Sequence, residues 1–196
     1  MRTLTVVLAT LIVTLPGSAQ AQKRWDVAFR GGVALPTQDL GNAPLETGVG
    51  FEATVGYRFM EHLAVYGGWG WRQFGTDATQ VSFAGTDIDV EETGYAVGLR
   101  FEHPLAGAGS PALVLRGGAT IAHIELENND GDLVADSGHG LGWEAGAGLS
   151  LPLGARWRVA PIVRYRSLSR DITIGSVTTP VNLRYVGLDV GFRWSF

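Results

Sequence analysis

The sequence contains no cysteine, and after residue 22 it contains no apolar run of 18 residues. The absence of cysteine excludes disulfides, and it also excludes lipid attachment to a cysteine near the amino-terminus. The absence of a long apolar run means that any membrane span in this part of the chain must be built from strands. Basic residues are also few, with 15 Lys+Arg against 19 Asp+Glu. The resulting net charge of -4 disfavours nucleic-acid binding.

The first 21 residues have the three-part pattern of a secretory signal peptide. Arg2 provides a positive start, residues 3–15 form an uncharged apolar run, and Ala19-Gln20-Ala21 matches a cleavage site. A membrane anchor is disfavoured because the apolar run has 13 residues, whereas a spanning helix needs about 20. We therefore expect a cleaved signal peptide over residues 1–21 and one mature domain over residues 22–196.

Apolar and polar residues alternate in eight segments of the mature chain. The clearest is the last, residues 187–196, in which every second residue is apolar and the others are glycine or polar. A period of two predicts strands with two different faces. The expected strands cover residues 25–35, 48–59, 63–74, 90–101, 112–124, 139–151, 156–168 and the segment after Pro180. Pro161 lies inside the seventh strand and predicts a local bulge there.

The connections between these strands alternate in length. Long polar connections are expected over residues 36–47, 75–89, 125–138 and 169–180, with short ones between them. The even-numbered strands also end on a repeat, exemplified by Gly56-Tyr57-Arg58-Phe59 and Gly98-Leu99-Arg100-Phe101. Short turns at one end and long loops at the other are typical of outer-membrane barrels. The pattern predicts an all-β fold, an eight-stranded antiparallel up-and-down transmembrane β-barrel with both termini on the periplasmic side.

The last strand carries the most specific local motif. Asp189, Gly191, Trp194 and Phe196 have the spacing polar-x-Gly-x-x-hydrophobic-x-hydrophobic. With this motif and the strand layout, the mature chain resembles the small outer-membrane β-barrel superfamily, which includes the barrel domain of OmpA-like proteins, OmpX-like proteins and opacity-type proteins. The resemblance implies an assembly signal read by the barrel assembly machinery and a place in a Gram-negative-type outer membrane, among lipid and lipopolysaccharide. It implies little about activity, because these barrels host several functions.

The aromatic residues of the apolar face form two bands, one near each end of the strands. Bands of this kind are typical of membrane interfaces, and a separation of eight residues on one strand spans roughly 20 Å along the membrane normal. A soluble lipocalin-like barrel or sandwich would show the same alternation, but the signal peptide and the bands favour the membrane form. The expected aromatic girdle comprises Trp25, Tyr57, Phe59, Phe101 and Trp157 near the short turns, and Phe51, Trp69, Trp71, Trp143 and Tyr165 near the long loops.

The opposite face of the strands carries charged residues in mid-strand. Each arginine there would cost about 2–4 kcal/mol in lipid at mid-bilayer, so we expect this face to line the lumen. The predicted lumen charge network is Arg30, Glu52, Arg58, Arg72, Glu92, Arg100, Arg116, Glu144, Arg164, Asp189 and Arg193, with Arg166 also pointing inward. Its mid-strand acids are expected at similar depth. An interior filled by paired charges is the favoured interpretation, because eight strands leave room only for side chains. The alternative is a rearrangeable network that forms a narrow gated ion path.

The long connection over residues 125–138 is strongly acidic. Asp130-Gly131-Asp132 offers oxygen ligands, but it lacks the spacing and the closing glutamate of a calcium loop, so we expect a solvated loop and no metal site. No cofactor is expected. Small barrels include lipid A deacylases and acyltransferases, but no defensible Ser-His-carboxylate arrangement is found around the four histidines, and no catalytic residue is predicted. His62 and His103 lie in short connections, and His123 and His139 flank the acidic one.

The sequence as a whole therefore predicts an integral outer-membrane protein with a structural or surface-interaction role. The expected partner is an extracellular ligand or another envelope protein that contacts the outer loops. The alternatives are a small gated pore and, more remotely, a lipid A-modifying enzyme.

Overall fold

The computed structural model describes residues 24–40, 44–76, 88–107, 109–128, 130–174 and 177–196. The expected signal peptide over residues 1–21 lies outside the described residues. Within the described ranges, no helix is long and apolar enough to cross a membrane.

The described chain forms one antiparallel sheet that closes on itself. Eight long strands neighbour one another in the order β4-β3-β2-β1-β9-β8-β7-β5, and β4 also pairs with β5. Among the described residues, the short strand β6 pairs with the end of β5 alone. This confirms the predicted eight-stranded up-and-down fold and adds one strand that was not predicted. The strands are β1 (Trp25–Pro36), β2 (Gly48–Arg58), β3 (Leu63–Phe74), β4 (Ile88–Pro104), β5 (Ala112–Asn128), β6 (Leu133–Asp136), β7 (Gly140–Pro152), β8 (Trp157–Ile174) and β9 (Val177–Ser195).

The strand registers determine the tilt of the strands. A path from Asp26 through its paired residues across all eight long strands returns to β1 at Pro36, ten residues further along. With ~3.3 Å per residue and ~4.8 Å between strands, this shift corresponds to a tilt of roughly 40°. Each residue along a strand then advances by roughly 2.5 Å along the barrel axis.

Alternation along each strand separates an apolar outside from a polar inside. On β1, Val27 and Phe29 are 39% and 55% exposed, whereas Asp26 and Arg30 are buried. The same contrast holds on β9, where Phe192 is exposed and Asp189 is buried. Burying the charged face inside the closed sheet leaves the large apolar side chains as its outer surface. Such a surface suits lipid rather than water.

Two hairpins extend further than the alternation predicted. Strand β5 continues to Asn128 and β6 folds back on it, so much of the predicted loop over residues 125–138 is a hairpin. Strands β8 and β9 continue to Ile174 and from Val177, where a loop over residues 169–180 was predicted. These two loop predictions were wrong because backbone pairing continues where the apolar face ends. Without that face, the sequence signal for a strand is lost.

The predicted bulge at Pro161 is also wrong. The pairs Gly148–Ile162 and Leu151–Val159 lie on either side of it with the same register between β7 and β8. On its other side, Pro161 pairs with Val190 of β9. Proline lacks the N–H of a ladder hydrogen bond, and here that loss is accommodated without a shift in register.

Candidate functional site in the barrel lumen

The inward side chains form three layers between the short-turn end and the long-loop end. A mouth cluster lies at the short-turn end, a central network fills the middle, and an apolar cap lies at the long-loop end. The mouth cluster comprises Asp26, Arg58, Arg100, Glu102, Arg158 and Arg193; the central network comprises Arg30, Glu52, Tyr66, Arg72, Glu92, Arg116, Glu144, Arg164, Arg166, Tyr185 and Asp189; the apolar cap comprises Ala34, Leu40, Phe74, Val90, Ala122, Ile124, Ala135, Leu168, Ile172, Val181 and Leu183.

Glu52 of β2 joins arginines from three other strands. Its Oε1 lies 3.1 Å from Arg116 Nη2 and 3.3 Å from Arg30 Nη1. Its Oε2 accepts hydrogen bonds from Arg164 and Arg166. The carboxylate is 2% exposed. Four guanidinium groups around one buried carboxylate compensate its charge through charge-assisted hydrogen bonds.

Glu144 of β7 is the second centre of the network. Its Oε1 accepts hydrogen bonds from Arg116 Nη2 at 2.5 Å and from the Tyr66 hydroxyl at 2.8 Å. Its Oε2 accepts from Arg166 Nη2 at 2.5 Å and from Arg164 Nη1 at 3.1 Å. The Arg116 guanidinium also lies 4.3 Å from the centre of the Tyr66 ring. Glu144 therefore has no unused acceptor oxygen.

The mid-strand acids do not all lie at one depth, which corrects the prediction. Glu92 pairs with Ile124 of β5, whereas Glu144 pairs with Gly118, six residues earlier on the same strand. With the strand tilt taken into account, Glu92 lies roughly 9 Å nearer the long-loop end than Glu144. There Glu92 accepts hydrogen bonds from Arg166 at 2.8 Å and from the Tyr185 hydroxyl at 2.7 Å.

Asp189 of β9 connects two strands on different sides of the barrel. Its Oδ1 accepts a hydrogen bond from Arg72 Nη2 at 3.0 Å, and its Oδ2 lies 3.0 Å from Arg164 Nη2. Arg164 belongs to the neighbouring strand β8, whereas Arg72 reaches across from β3. These contacts link opposite walls of the barrel through its centre.

The mouth cluster is organised around Glu102. Arg193 Nη2 donates to Glu102 at 2.7 Å, and Arg158 Nε lies 3.3 Å from it. Beside this group, Arg100 makes a two-point pair with Asp26 at 2.5 and 3.1 Å. A cavity of about 380 Å³, lined in part by Arg58 and Arg158, lies among the short turns.

The apolar cap is a cluster of buried side chains at the long-loop end of the lumen. Phe74, Leu168 and Leu183 have no exposed surface, and Val90 is 1% exposed. The Phe74 ring lies 5.3 Å from the ring of Tyr185, whose hydroxyl belongs to the central network. Buried apolar side chains therefore lie between the buried charged layer and the long-loop end.

Comparisons with known proteins identify the family to which the chain belongs. Residues 5–196 match the family model described as the outer membrane protein beta-barrel domain. The chain belongs to this outer-membrane β-barrel family. It is therefore a protein of the Gram-negative outer membrane, as predicted. A search of curated proteins found no match.

Solved outer-membrane barrels share the fold at low sequence identity. Neisserial surface protein A is 16% identical, with a TM-score of 0.59 over 89% of this chain and 98% of its own. OprG from Pseudomonas aeruginosa is 18% identical, with a TM-score of 0.53 over 91% and 99%. The outer membrane protein AlkL is 15% identical, with a TM-score of 0.53 over 95% and 97%. These similarities establish the fold alone.

The predicted girdle residues of this outer-membrane barrel lie in two groups on its outer surface. Near the short turns, the Trp25 and Tyr57 rings are 4.8 Å apart, and Trp157 contacts Trp194. Phe59 and Phe101 lie at the same end, beside the β2–β3 and β4–β5 turns. Near the long loops, the Phe51 ring lies 5.7 Å from Trp69 and 5.8 Å from Trp71, and Trp143 contacts Tyr165. Trp157 and Tyr165 stand eight residues apart on β8, which corresponds to roughly 20 Å along the membrane normal.

The proposed assembly motif covers the end of β9 and the following residue, Phe196, and β9 pairs with β1 and β8. Trp194 pairs with Val27 and with Trp157, and Phe196 exchanges two backbone hydrogen bonds with Trp25. The last strand thus closes the barrel against the first.

Some lumen residues were missing from the predicted network. Glu102 was assigned to a turn, but β4 continues to Pro104, and Glu102 is the next inward position after Arg100. Asp26 and Tyr66 occupy inward positions of the alternation, but their partners, Arg100 and Glu144, lie on distant strands. Continuing the alternation beyond Phe101 would have identified Glu102. The role of Tyr185 was not predictable in this way, because its hydroxyl on β9 donates to Glu92 on β4 across the lumen.

Proposed function

We propose that this protein is a closed outer-membrane barrel with a structural and surface-interaction role. The filled lumen is the observation that supports this proposal. Glu52, Glu144 and Arg164 are each at most 2% exposed and are bonded to one another or to shared partners. A buried charge layer with this many shared bonds resists displacement by ions, because an ion would have to break several charge-assisted hydrogen bonds at once. The apolar cap adds a second barrier.

The outer hairpins supply the surface for interaction. Ile174 of β8 lies nine residues beyond the girdle residue Tyr165, roughly 20 Å further along the membrane normal. On the β5–β6 hairpin, Leu133 is 57% exposed, and Leu141 near the start of β7 is 73% exposed. Large exposed apolar side chains among acidic residues suit contact with another macromolecule. We propose an extracellular ligand or another envelope protein as the partner.

Conductance in planar lipid bilayers tests the closed barrel. The purified full-length protein should insert without producing discrete current steps, while a general porin added to the same bilayer as a control should conduct. Insertion has to be shown independently, by protease protection of the reconstituted protein. Reproducible unitary currents from the inserted protein would overturn the proposal.

A gated pore is the second candidate, and the charge count of the central network favours it. Five arginines face four carboxylates there, and Arg72 Nη1 and Arg116 Nη1 have no hydrogen-bond partner among the described residues. The extra cation and unused donors suit passage of anions. Anion-selective currents that change on Glu52→Gln substitution would support this candidate, and a silent protein would exclude it.

We also propose that the protein is not an enzyme. Ser137 is the serine nearest to the outer histidines along the chain. Its hydroxyl accepts a hydrogen bond from the Ile124 N–H at 2.8 Å and donates to the Gly138 carbonyl at 3.1 Å. These contacts hold the hairpin and leave this serine without an activating histidine.

A further inference from the structure

Two histidines and two carboxylates meet on the outside of the β5–β6 hairpin. His123 Nδ1 lies 3.2 Å from Asp136 Oδ1 and 3.6 Å from Glu125 Oε1. The His139 ring stacks on the His123 ring, with centroids 4.4 Å apart and an angle of 14° between the planes. His123 lies four residues beyond Ala119, the partner of Trp143, and so, with the strand tilt taken into account, roughly 7 Å outside the level of Trp143. The cluster therefore lies beyond the girdle, on the side of the long loops.

The spacings from His123 Nδ1 to the two carboxylate oxygens are close to the edge length of a coordination tetrahedron. Zinc binds histidine nitrogen and carboxylate oxygen at about 2.0–2.2 Å, which places neighbouring ligand atoms about 3.3–3.5 Å apart. The two measured separations from His123 Nδ1, 3.2 and 3.6 Å, lie close to this range. The donor atoms of His123, Glu125 and Asp136 all lie within 4.8 Å of one another.

The charges around the cluster also favour a cation. Glu125 pairs directly with Glu91 on β4 and with Asp136 on β6. Like charges directly opposite one another on antiparallel strands are destabilising. Among the described residues, His123 is the ion-pair partner of both Glu125 and Asp136, and it is cationic only when protonated. A bound divalent cation would offset the repulsion among these carboxylates.

We propose that His123, Glu125 and Asp136 bind a divalent transition metal of the zinc type, with His139 as the fourth ligand. Imidazole nitrogens select zinc, copper or nickel over calcium and magnesium, which prefer oxygen ligands alone. His139 is exposed, so rotation about its side-chain bonds can turn a ring nitrogen towards the metal.

The hairpin holds one of these ligands in place. Asp136 Oδ1 accepts a hydrogen bond from the Gly138 N–H at 2.8 Å. Outer contacts of this kind orient a metal ligand and strengthen binding. The bound metal would connect β5, β6 and the residue that precedes β7, so it would fasten the outer hairpin to the barrel wall.

Titration calorimetry of the full-length protein in detergent micelles tests the site, with zinc chloride and calcium chloride as separate titrants. We expect one zinc ion per chain and no comparable calcium binding. His123→Ala and Asp136→Asn should each weaken zinc binding at least tenfold. Asp132→Asn is the matched control, because it removes one charge from the same hairpin outside the cluster. A His62→Ala/His103→Ala double variant controls for the histidine pair near the short turns, whose rings lie 5.0 Å apart.

Two further measurements separate a specific site from diffuse attraction. Cobalt should give the visible absorption spectrum of tetrahedral coordination in the wild type and lose it in His123→Ala. Zinc should slow amide hydrogen exchange in residues 124–139 in the wild type but not in that variant. Zinc binding that survives His123→Ala unchanged, or that the Asp132→Asn or His62→Ala/His103→Ala control weakens equally, would overturn the proposal.

Discussion

Glu144→Gln should destabilise the barrel severely without changing its shape. The amide has nearly the size of the carboxylate, but it is neutral, and it presents N–H donors to a site surrounded by donors. Arg116, Arg164, Arg166 and Tyr66 all direct hydrogen bonds at Glu144. The central network would then hold five arginines against three carboxylates instead of four. Removing one partner from a buried ionic group costs about 3–5 kcal/mol.

A loss of this size is measurable by urea titration in lipid vesicles. Unfolding can be followed through the fluorescence of the six tryptophans, and about 3–5 kcal/mol corresponds to roughly two to three and a half orders of magnitude in the folding equilibrium constant. Glu61→Gln is the matched control, because the Glu61 side chain is 84% exposed in a short turn. We expect that control to stay within about 0.5 kcal/mol of the wild type.

A double-mutant cycle with Arg166 tests whether the loss arises from the network. Glu144→Gln leaves Arg166 without one of its carboxylate partners, and Arg166→Met removes that cation. The double variant should therefore lose less stability than the sum of the losses of the two single variants. Coupling of about 0.5–3 kcal/mol is expected for residues in one network. A Glu144→Gln loss below about 1 kcal/mol, or full additivity with Arg166→Met, would refute the view that buried charge pairing holds the lumen together.

Two further predictions concern the outer surface and the last strand. Leu99→Arg should cost about 2–4 kcal/mol in the same titration, because Leu99 is 51% exposed on β4 between Phe101 and Tyr95 and faces the middle of the bilayer. Leu105→Arg, in the turn that follows, is its control, and equal losses would contradict a lipid-facing β4. Phe196→Ala should slow insertion into vesicles that contain the barrel assembly machinery, whereas Phe192→Ala on the same face of β9 should not. Equal rates for the two variants would remove Phe196 from the proposed assembly signal.

The strands that the sequence predicted well are those that cross the membrane. Lipid on one side and a polar lumen on the other impose a strict alternation, so strand β3 was predicted with its observed ends, Leu63 and Phe74. Outside the membrane that constraint disappears. The β5–β6 hairpin and the ends of β8 and β9 were therefore missed, although their backbones pair in the same way.

The candidate site was only partly predictable, for a related reason. Alternation shows that Glu52 and Arg164 point inward, but it carries no information about their relative height. Their contact depends on the shift of ten residues around the barrel, which is a property of all the pairings together. The apolar cap was missed because its members, such as Phe74 and Leu183, are apolar residues at inward positions near strand ends.

The sequence by itself determined that eight two-faced strands would form, which face of each is apolar, and that the mid-strand charges point into the lumen, because these features depend on the local period of two. The tertiary structure alone decided which charges meet, and at what depth. Glu52 and Arg166 are 114 positions apart in the chain. They come within hydrogen-bonding distance only because the closed, tilted sheet brings opposite walls to the same level.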